Sequence, residues 1–140
     1  MLTSVVWACQ TPPYYTQHTC IKDECWYNHD TVVFRTPKAE RAANHDVVLN
    51  LRYTPTYKYK SISVAVKTYD NKKLVRTDTL SYKCFSDNDV AEGKGAYYKE
   101  QSAQLPQLQM HKGHIYTMKI YHIMRLDPLN GISNISINIE

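Results

Sequence analysis

Cysteine and histidine are the residues of this 140-residue chain best suited to chemistry, and it has 4 of the first and 6 of the second. The densest grouping is His18, Cys20, Cys25 and His29, an H-x-C-x4-C-x3-H run. A structural zinc site needs four N or S ligands closing a tetrahedron. This spacing matches no standard zinc knuckle, and ligands packed into so short a stretch would have almost no core around them, so no metal is expected. In an exported protein the same C-x4-C pair reads as a disulfide, Cys20 with Cys25, closing a small local loop. Cys84 follows Leu80 and Tyr82 on one alternating face, which makes it a buried thiol rather than a nucleophile. Cys9 follows an uncharged, apolar opening of eight residues that finishes on Ala8, a junction like a lipobox. Residues 1–8 supply only the tail of a secretory signal peptide. The competing reading makes Leu2, Val5, Val6 and Trp7 a first strand and Cys9 one more buried thiol.

His111 and His114 stand just before the longest apolar segment, where Asp87 or Asp89 from a preceding loop could meet them in a metal or acid–base cluster. Histidines scattered in loops are usually solvated. His122 shares a face with Tyr116, Met118 and Ile120 and reads as a core histidine with its polar atoms satisfied. The chain contains no G-x-S-x-G and no H-E-x-x-H, and 4 glycines leave no room for a phosphate-cradling loop. No catalytic residue and no cofactor is therefore expected. The formal charge of +4 is spread along the chain, whereas neutralising nucleic-acid phosphates takes a clustered patch. Tyr57, Lys58, Tyr59 and Lys60 are the local exception and read as a solvated face, so no nucleic-acid partner is expected.

The elements that must position these residues read as strands. Twelve Tyr against 2 Phe suit half-wet β-surfaces, where a ring packs while its hydroxyl reaches water. Val47, Leu49, Leu51 and Tyr53 alternate with polar neighbours, as do Ile62, Val64 and Val66, then Leu80, Tyr82 and Cys84, and finally Ile135, Ile137 and Ile139. Asp70-Asn71 and Asn130-Gly131 supply turns. Residues 115–124 carry large side chains on both faces, as a central strand covered on two sides would. Residues 37–44, with Thr36 as cap and Pro37 in the first turn, are the one helical prospect. Residues 85–113 lack a period and read as a long crossover with a short strand near 96–99. Such loops often carry function, and Asp87, Asp89, Tyr97, Tyr98, His111 and His114 are its interaction candidates. The fold class is an all-β antiparallel sandwich, Ig-like or jelly-roll-like, over residues 30–140. Residues 9–29, with Pro12, Pro13 and no hydrophobic period, read as an extended tether.

Several segments together resemble the GldH-type gliding-motility lipoproteins of Bacteroidota: D-T-V-V-F at 30–34, D-T-L-S-Y at 78–82, G-H-I-Y-T-M-K-I-Y-H-I-M-R at 113–125 and L-N-G-I-S-N-I-S-I-N-I-E at 129–140. One extra residue between Gly113 and Tyr116 departs from the family's pattern. The resemblance implies that Cys9 is the lipidated first residue of the mature protein. It further implies a non-enzymatic outer-membrane lipoprotein that meets protein partners of an envelope machine associated with gliding and secretion. Surface-exported lipoproteins of this phylum resemble one another in an acidic stretch behind the lipidated cysteine. Here Gln10 to Tyr15 carry no acid, which implies retention on the periplasmic face. Thr31 and Thr79 sit in D-T-apolar triplets that look like the phylum's O-glycosylation sequon. The alternative class is a surface carbohydrate-binding sandwich, against which stands the placement of Trp7 and Trp26 outside the expected sandwich.

Overall fold

Alternation of apolar and polar side chains sorts the strands into two layers that bury one common core. The structure is a computed structural model that describes residues 13–85 and 90–140. Its strands in chain order are β1 Tyr15–Cys20, β2 Cys25–Trp26, β3 Val32–Arg35, β4 Ala43–Tyr53, β5 Ser61–Asp70, β6 Lys73–Lys83, β7 Lys99–Met110, β8 Tyr116–His122, β9 Leu129–Asn130 and β10 Ile132–Ile139. A first sheet runs β1-β10-β4-β7 and a second β3-β8-β5-β6, with β2 and β9 forming a short ladder between them in sequence. Every described pairing is antiparallel. Val47, Leu49, Leu51, Leu105, Ile135, Ile137 and Ile139 of the first sheet meet Phe34, Ile62, Val64, Val66, Met118 and Ile120 of the second in one buried cluster. The all-β sandwich expected from the sequence is the fold found.

The stretch read as a tether is, from Tyr15 on, part of the sandwich. β1 pairs with β10 over its whole length, from Tyr15 opposite Ile139 to Cys20 opposite Asn134. Its sequence, Y-T-Q-H-T-C, buries little, so backbone pairing to an Ile-rich neighbour holds it and no hydrophobic period announces it. Trp26 is completely buried. Its indole N–H donates to the Asp30 carbonyl at 2.9 Å and its ring meets His122 edge-on at 5.4 Å between centroids.

Residues 37–44 form no helix; β4 already begins at Ala43, and the Thr36 hydroxyl accepts the Tyr116 N–H at 3.1 Å instead of capping. The expected crossover at 85–113 shrinks, because β7 runs for 12 residues beside β4. Pro106 hid this strand. It lies at a bulge where Pro106 and Gln107 oppose Asp46, between the pairs His45–Leu108 and Val47–Leu105. A proline is tolerated there, on an edge strand at a bulge, because no ladder N–H is required. Arg76 of β6 crosses to this bulge, donating to the carbonyls of Gln107 at 2.8 Å and Pro106 at 2.7 Å while its Nε holds Asp78 at 2.7 Å. One side chain thereby closes the two sheets along their β6 and β7 edges. β8 is central, as expected, yet only one of its faces is covered: Tyr116, Met118, Ile120 and His122 are buried while Lys119 is exposed.

Burial of Trp26 inside the core makes the N-terminal segment energetically part of the domain. Trp26→Ala should lower unfolding free energy by about 3–5 kcal/mol in urea titration, whereas a solvated tether residue would change it by less than about 0.5 kcal/mol.

Candidate functional site

The six interaction candidates do not gather at one place, because β7 separates them. Tyr97 and Tyr98 precede its first residue, and His111 and His114 follow its last. At about 3.4 Å per residue, the 12 residues of this strand place the two groups at opposite poles of the sandwich, roughly 40 Å apart. Asp87 and Asp89, like Cys9, lie outside the described residues.

At the first pole a cleft of about 990 Å³ opens between the 92–98 loop, Arg52, Lys83, Glu100 and Gln101. Tyr53, at the end of β4, pins the loop from below: its hydroxyl contacts the Cys84 carbonyl at 2.6 Å and also the Glu92 carbonyl. Burial pushes the Tyr53 phenol up from its ordinary value, so it stays a donor. The Glu92 N–H returns to the Cys84 carbonyl at 2.9 Å, and the Gln101 amide donates to the Lys83 carbonyl. Gly93 adopts φ +98°, and a Cβ there would come within 2.6 Å of the Glu100 carbonyl oxygen, so the close approach requires glycine. On this frame Tyr97 and Tyr98 stand exposed, ring against ring edge-on at 5.1 Å. Tyr98 donates to Glu24 at 3.2 Å, and Arg52 pairs with Glu100 at 3.1 Å across the floor.

At the second pole His111 and His114 do come together, with ring centroids 5.5 Å apart. The acidic partner of His114 is Asp70, whose Oδ1 lies 2.7 Å from His114 Nδ1; in the sequence Asp70 reads as a turn residue, which hides this pairing. The His111 N–H donates to the Tyr116 hydroxyl at 2.7 Å, and burial raises the Tyr116 phenol above its usual value. A His–Asp pair with a protonated phenol beside it contains no activated nucleophile. Among the described residues no three His, Cys, Asp or Glu side chains converge as metal ligands, and no helix is long and apolar enough to cross a membrane.

Residues 13–139 match the family of GldH lipoproteins. The chain belongs to this family. No curated protein matches it. Among solved structures it is similar to the Eiger TNF of S. frugiperda, at 10% identity and a TM-score of 0.40 over 90% of this chain and 92% of the other. It is also similar to the dimeric latent PorU of Porphyromonas gingivalis, at 12% identity and a TM-score of 0.41, covering 96% of this chain but 13% of PorU.

In this GldH-family chain the thiols depart from expectation in one respect. Cys84 is buried as expected, and burial pushes its thiol up to about 12, which leaves it protonated and unreactive. Cys20 and Cys25, expected as a disulfide, are both free. They end and begin different strands on either side of a turn at Lys22–Glu24 in which Asp23 and Glu24 have positive φ. Cys20 Sγ instead accepts the Asn134 side-chain amide at 3.1 Å. Trp26, the one described indole, lies in the core, so the described surface offers no tryptophan for stacking on a sugar ring. His122 is fully buried as expected, its Nε2 3.0 Å from Asp127 Oδ1 and its Nδ1 accepting the Met124 N–H at 3.3 Å. Asn28 completes the knot, its N–H on Asp127 at 2.7 Å and its amide on the His122 carbonyl at 2.6 Å.

Two measurements follow from these environments. An alkylating reagent at pH 8 should label Cys20 in the native protein and reach Cys84 only in denaturant; equal labelling of both would contradict the burial. The backbone hydrogen bond from Asn28, followed by the contact with His122, holds the Asp127 carboxyl below its ordinary value of 3.8. A depressed carboxylate contributes stability that is present above its unfolded value and is lost as pH falls through the folded one. Asp127→Asn should therefore flatten the decline in melting temperature below about pH 4, and an unchanged acid limb would rule the contribution out.

Proposed function

We propose that this chain is a non-enzymatic lipoprotein of the outer membrane, anchored by lipid on Cys9 and facing the periplasm, that binds a protein partner in a gliding- or secretion-associated envelope machine. Membership of the GldH lipoprotein family over residues 13–139 is the observation that carries this reading, and Cys9 stands four residues ahead of the matched region. A non-enzymatic role is supported by the chemistry of the described side chains: the Cys84 thiol is protonated and buried, and the His114–Asp70 pair has no nucleophile to activate. The partner site is the cleft at the Tyr97–Tyr98 pole. Exposed Tyr rings beside an Arg, on a loop fixed from below by Tyr53, are the composition from which protein interfaces draw most of their energy. A fixed loop also loses little entropy on binding.

Membrane fractionation of cells expressing the chain behind a lipoprotein signal peptide tests the anchor. After a high-salt wash, which releases proteins held by charge alone, Cys9→Ala should move the protein from the membrane to the soluble fraction, because an acyl chain contributes about 0.8 kcal/mol per buried CH2 and among the described residues no helix is long and apolar enough to cross the membrane in its place. In the same cells, crosslinked partners should be retained by wild type and lost by Tyr97→Ala with Tyr98→Ala. Retention of the Cys9 variant through the salt wash would overturn the anchor, and unchanged crosslinks would overturn the cleft.

A further inference from the structure

The outer face of the second sheet carries a charge arrangement that folding does not require. The strand registers place Val33, Lys119, Lys67 and Thr77 in one row across β3, β8, β5 and β6, and Arg35, Thr117, Tyr69 and Leu74 in the next. Lys67 and Lys119 are therefore direct cross-strand partners. Like charges directly opposite on adjacent strands are destabilising. Among the described residues neither ammonium has a carboxylate to neutralise it: Lys67 Nζ lies 5.5 Å from the Tyr121 ring centroid and Lys119 Nζ 5.0 Å from that of Tyr69. Among the described residues, the outward positions of this sheet include no Asp or Glu. Asp70, next along the chain, is turned to His114.

Beside this pair lies a pocket of about 420 Å³ whose charged lining is Arg35, Lys72 and Lys119, with Tyr69, Asn71, Ile115 and Thr117 completing it. Three cations around one concavity, with no acid in the lining and a fourth cation held opposite Lys119, form a site for an anion carrying several acceptor oxygens. Arg35 is suited to phosphate by its planar fork, and lysines by their compact charge.

We propose that this pocket binds the phosphate of an anionic membrane lipid headgroup. The choice of a lipid source rests on the lipidation of Cys9 proposed above. Cys9 is six residue steps from Tyr15, a span of at most about 22 Å. Just before it, the Tyr14 ring lies 4.6 Å from that of His45, which pairs with Leu108 toward the β7 end that leads to His111. The anchor thus delivers the pocket, rather than the Tyr97–Tyr98 pole, to the bilayer surface. A single acyl chain gives marginal membrane binding, and a cationic patch is the usual second signal. Headgroup contact at this face would also leave the distant cleft turned toward the periplasm.

The test uses the full chain carrying Cys9→Ala, so that binding is read without the anchor and stands apart from the fractionation that tests lipidation. Sedimentation should retain this protein on vesicles of phosphatidylcholine with about one third phosphatidylglycerol and not on phosphatidylcholine alone. Lys67→Gln with Lys119→Gln should weaken retention on the order of ten-fold or more, at about five-fold per charge near the surface. The melting temperature should stay equal or rise, since a repulsive pair has been removed. Lys58→Gln with Lys94→Gln, an equal charge change at the opposite pole, should have little effect. Equal binding to both vesicles, or equal loss in the two double variants, would overturn the proposal. Saturable binding of inorganic phosphate at Arg35 and Lys119 by NMR, without vesicle retention, would likewise overturn the lipid source.

Discussion

The pairing of β10 with β1 on one side and β4 on the other is the constraint on which the rest of the structure depends. β10 comes last in the chain, and it holds the first described strand. Ile135, Ile137 and Ile139 turn their side chains into the core and are fully buried; Asn134, Ser136 and Asn138 face outward and stay half-buried beneath their neighbours. β1 contributes little apolar surface of its own, so its backbone bonds to β10 carry it. The Trp26 side chain, bonded to the Asp30 carbonyl and edge-on to His122, then holds the following segment to the core.

What could be read from the sequence was what burial writes into it. The alternating runs in β4, β5, β6 and β10 reappear at the positions expected, because each has one wet and one dry face. The two stretches misread as tether and crossover, β1 and most of β7, are edge strands of the first sheet. An edge strand needs only one paired side and a few inward contacts, such as Leu105, Leu108 and Met110 in β7, and its polar composition then looks like that of a loop. Pro106 strengthened the misreading because its compatibility depends on a bulge opposite Asp46, a property of the partner strand. The interaction candidates show the same limit. Tyr97 and Tyr98 were recognisable as loop aromatics, whereas Tyr53 and Gln101, which fix the loop, and Asp70, which meets His114, become visible only once non-adjacent strands are placed side by side.

The two outer faces of the sandwich have different chemistry, and this follows from the same registers that build the core. On the first sheet, His18, Ser136, Asn50 and Ser102 form one cross-strand row, and Cys20, Asn134, Arg52 and Glu100 the next. Its one strong charge pair, Arg52 with Glu100, is internally neutral. On the second sheet the equivalent rows are cationic and without internal acids. Neutral amides and hydroxyls suit a surface that is wetted or meets a polar protein, while uncompensated ammonium groups suit one that meets anions. A sandwich needs only its inner faces to fold, so its outer faces are free to diverge.

That divergence, combined with the length of β7, orders the molecule along one axis. The chain enters at Tyr14, whose ring lies 4.6 Å from that of His45, at the same pole as the His111–His114 loop and the turn at Asn71. The cleft framed by Tyr53, Glu92 and Gln101 lies at the far end of the same strands. With the sheets closed along β6 and β7 by Arg76, the two ends are joined by continuous ladders and not by a linker. An attachment made at the entry pole therefore sets the direction in which the far cleft points. Incorporation of residues 15–26 into the sandwich therefore removes that stretch as a flexible joint between the entry pole and the cleft.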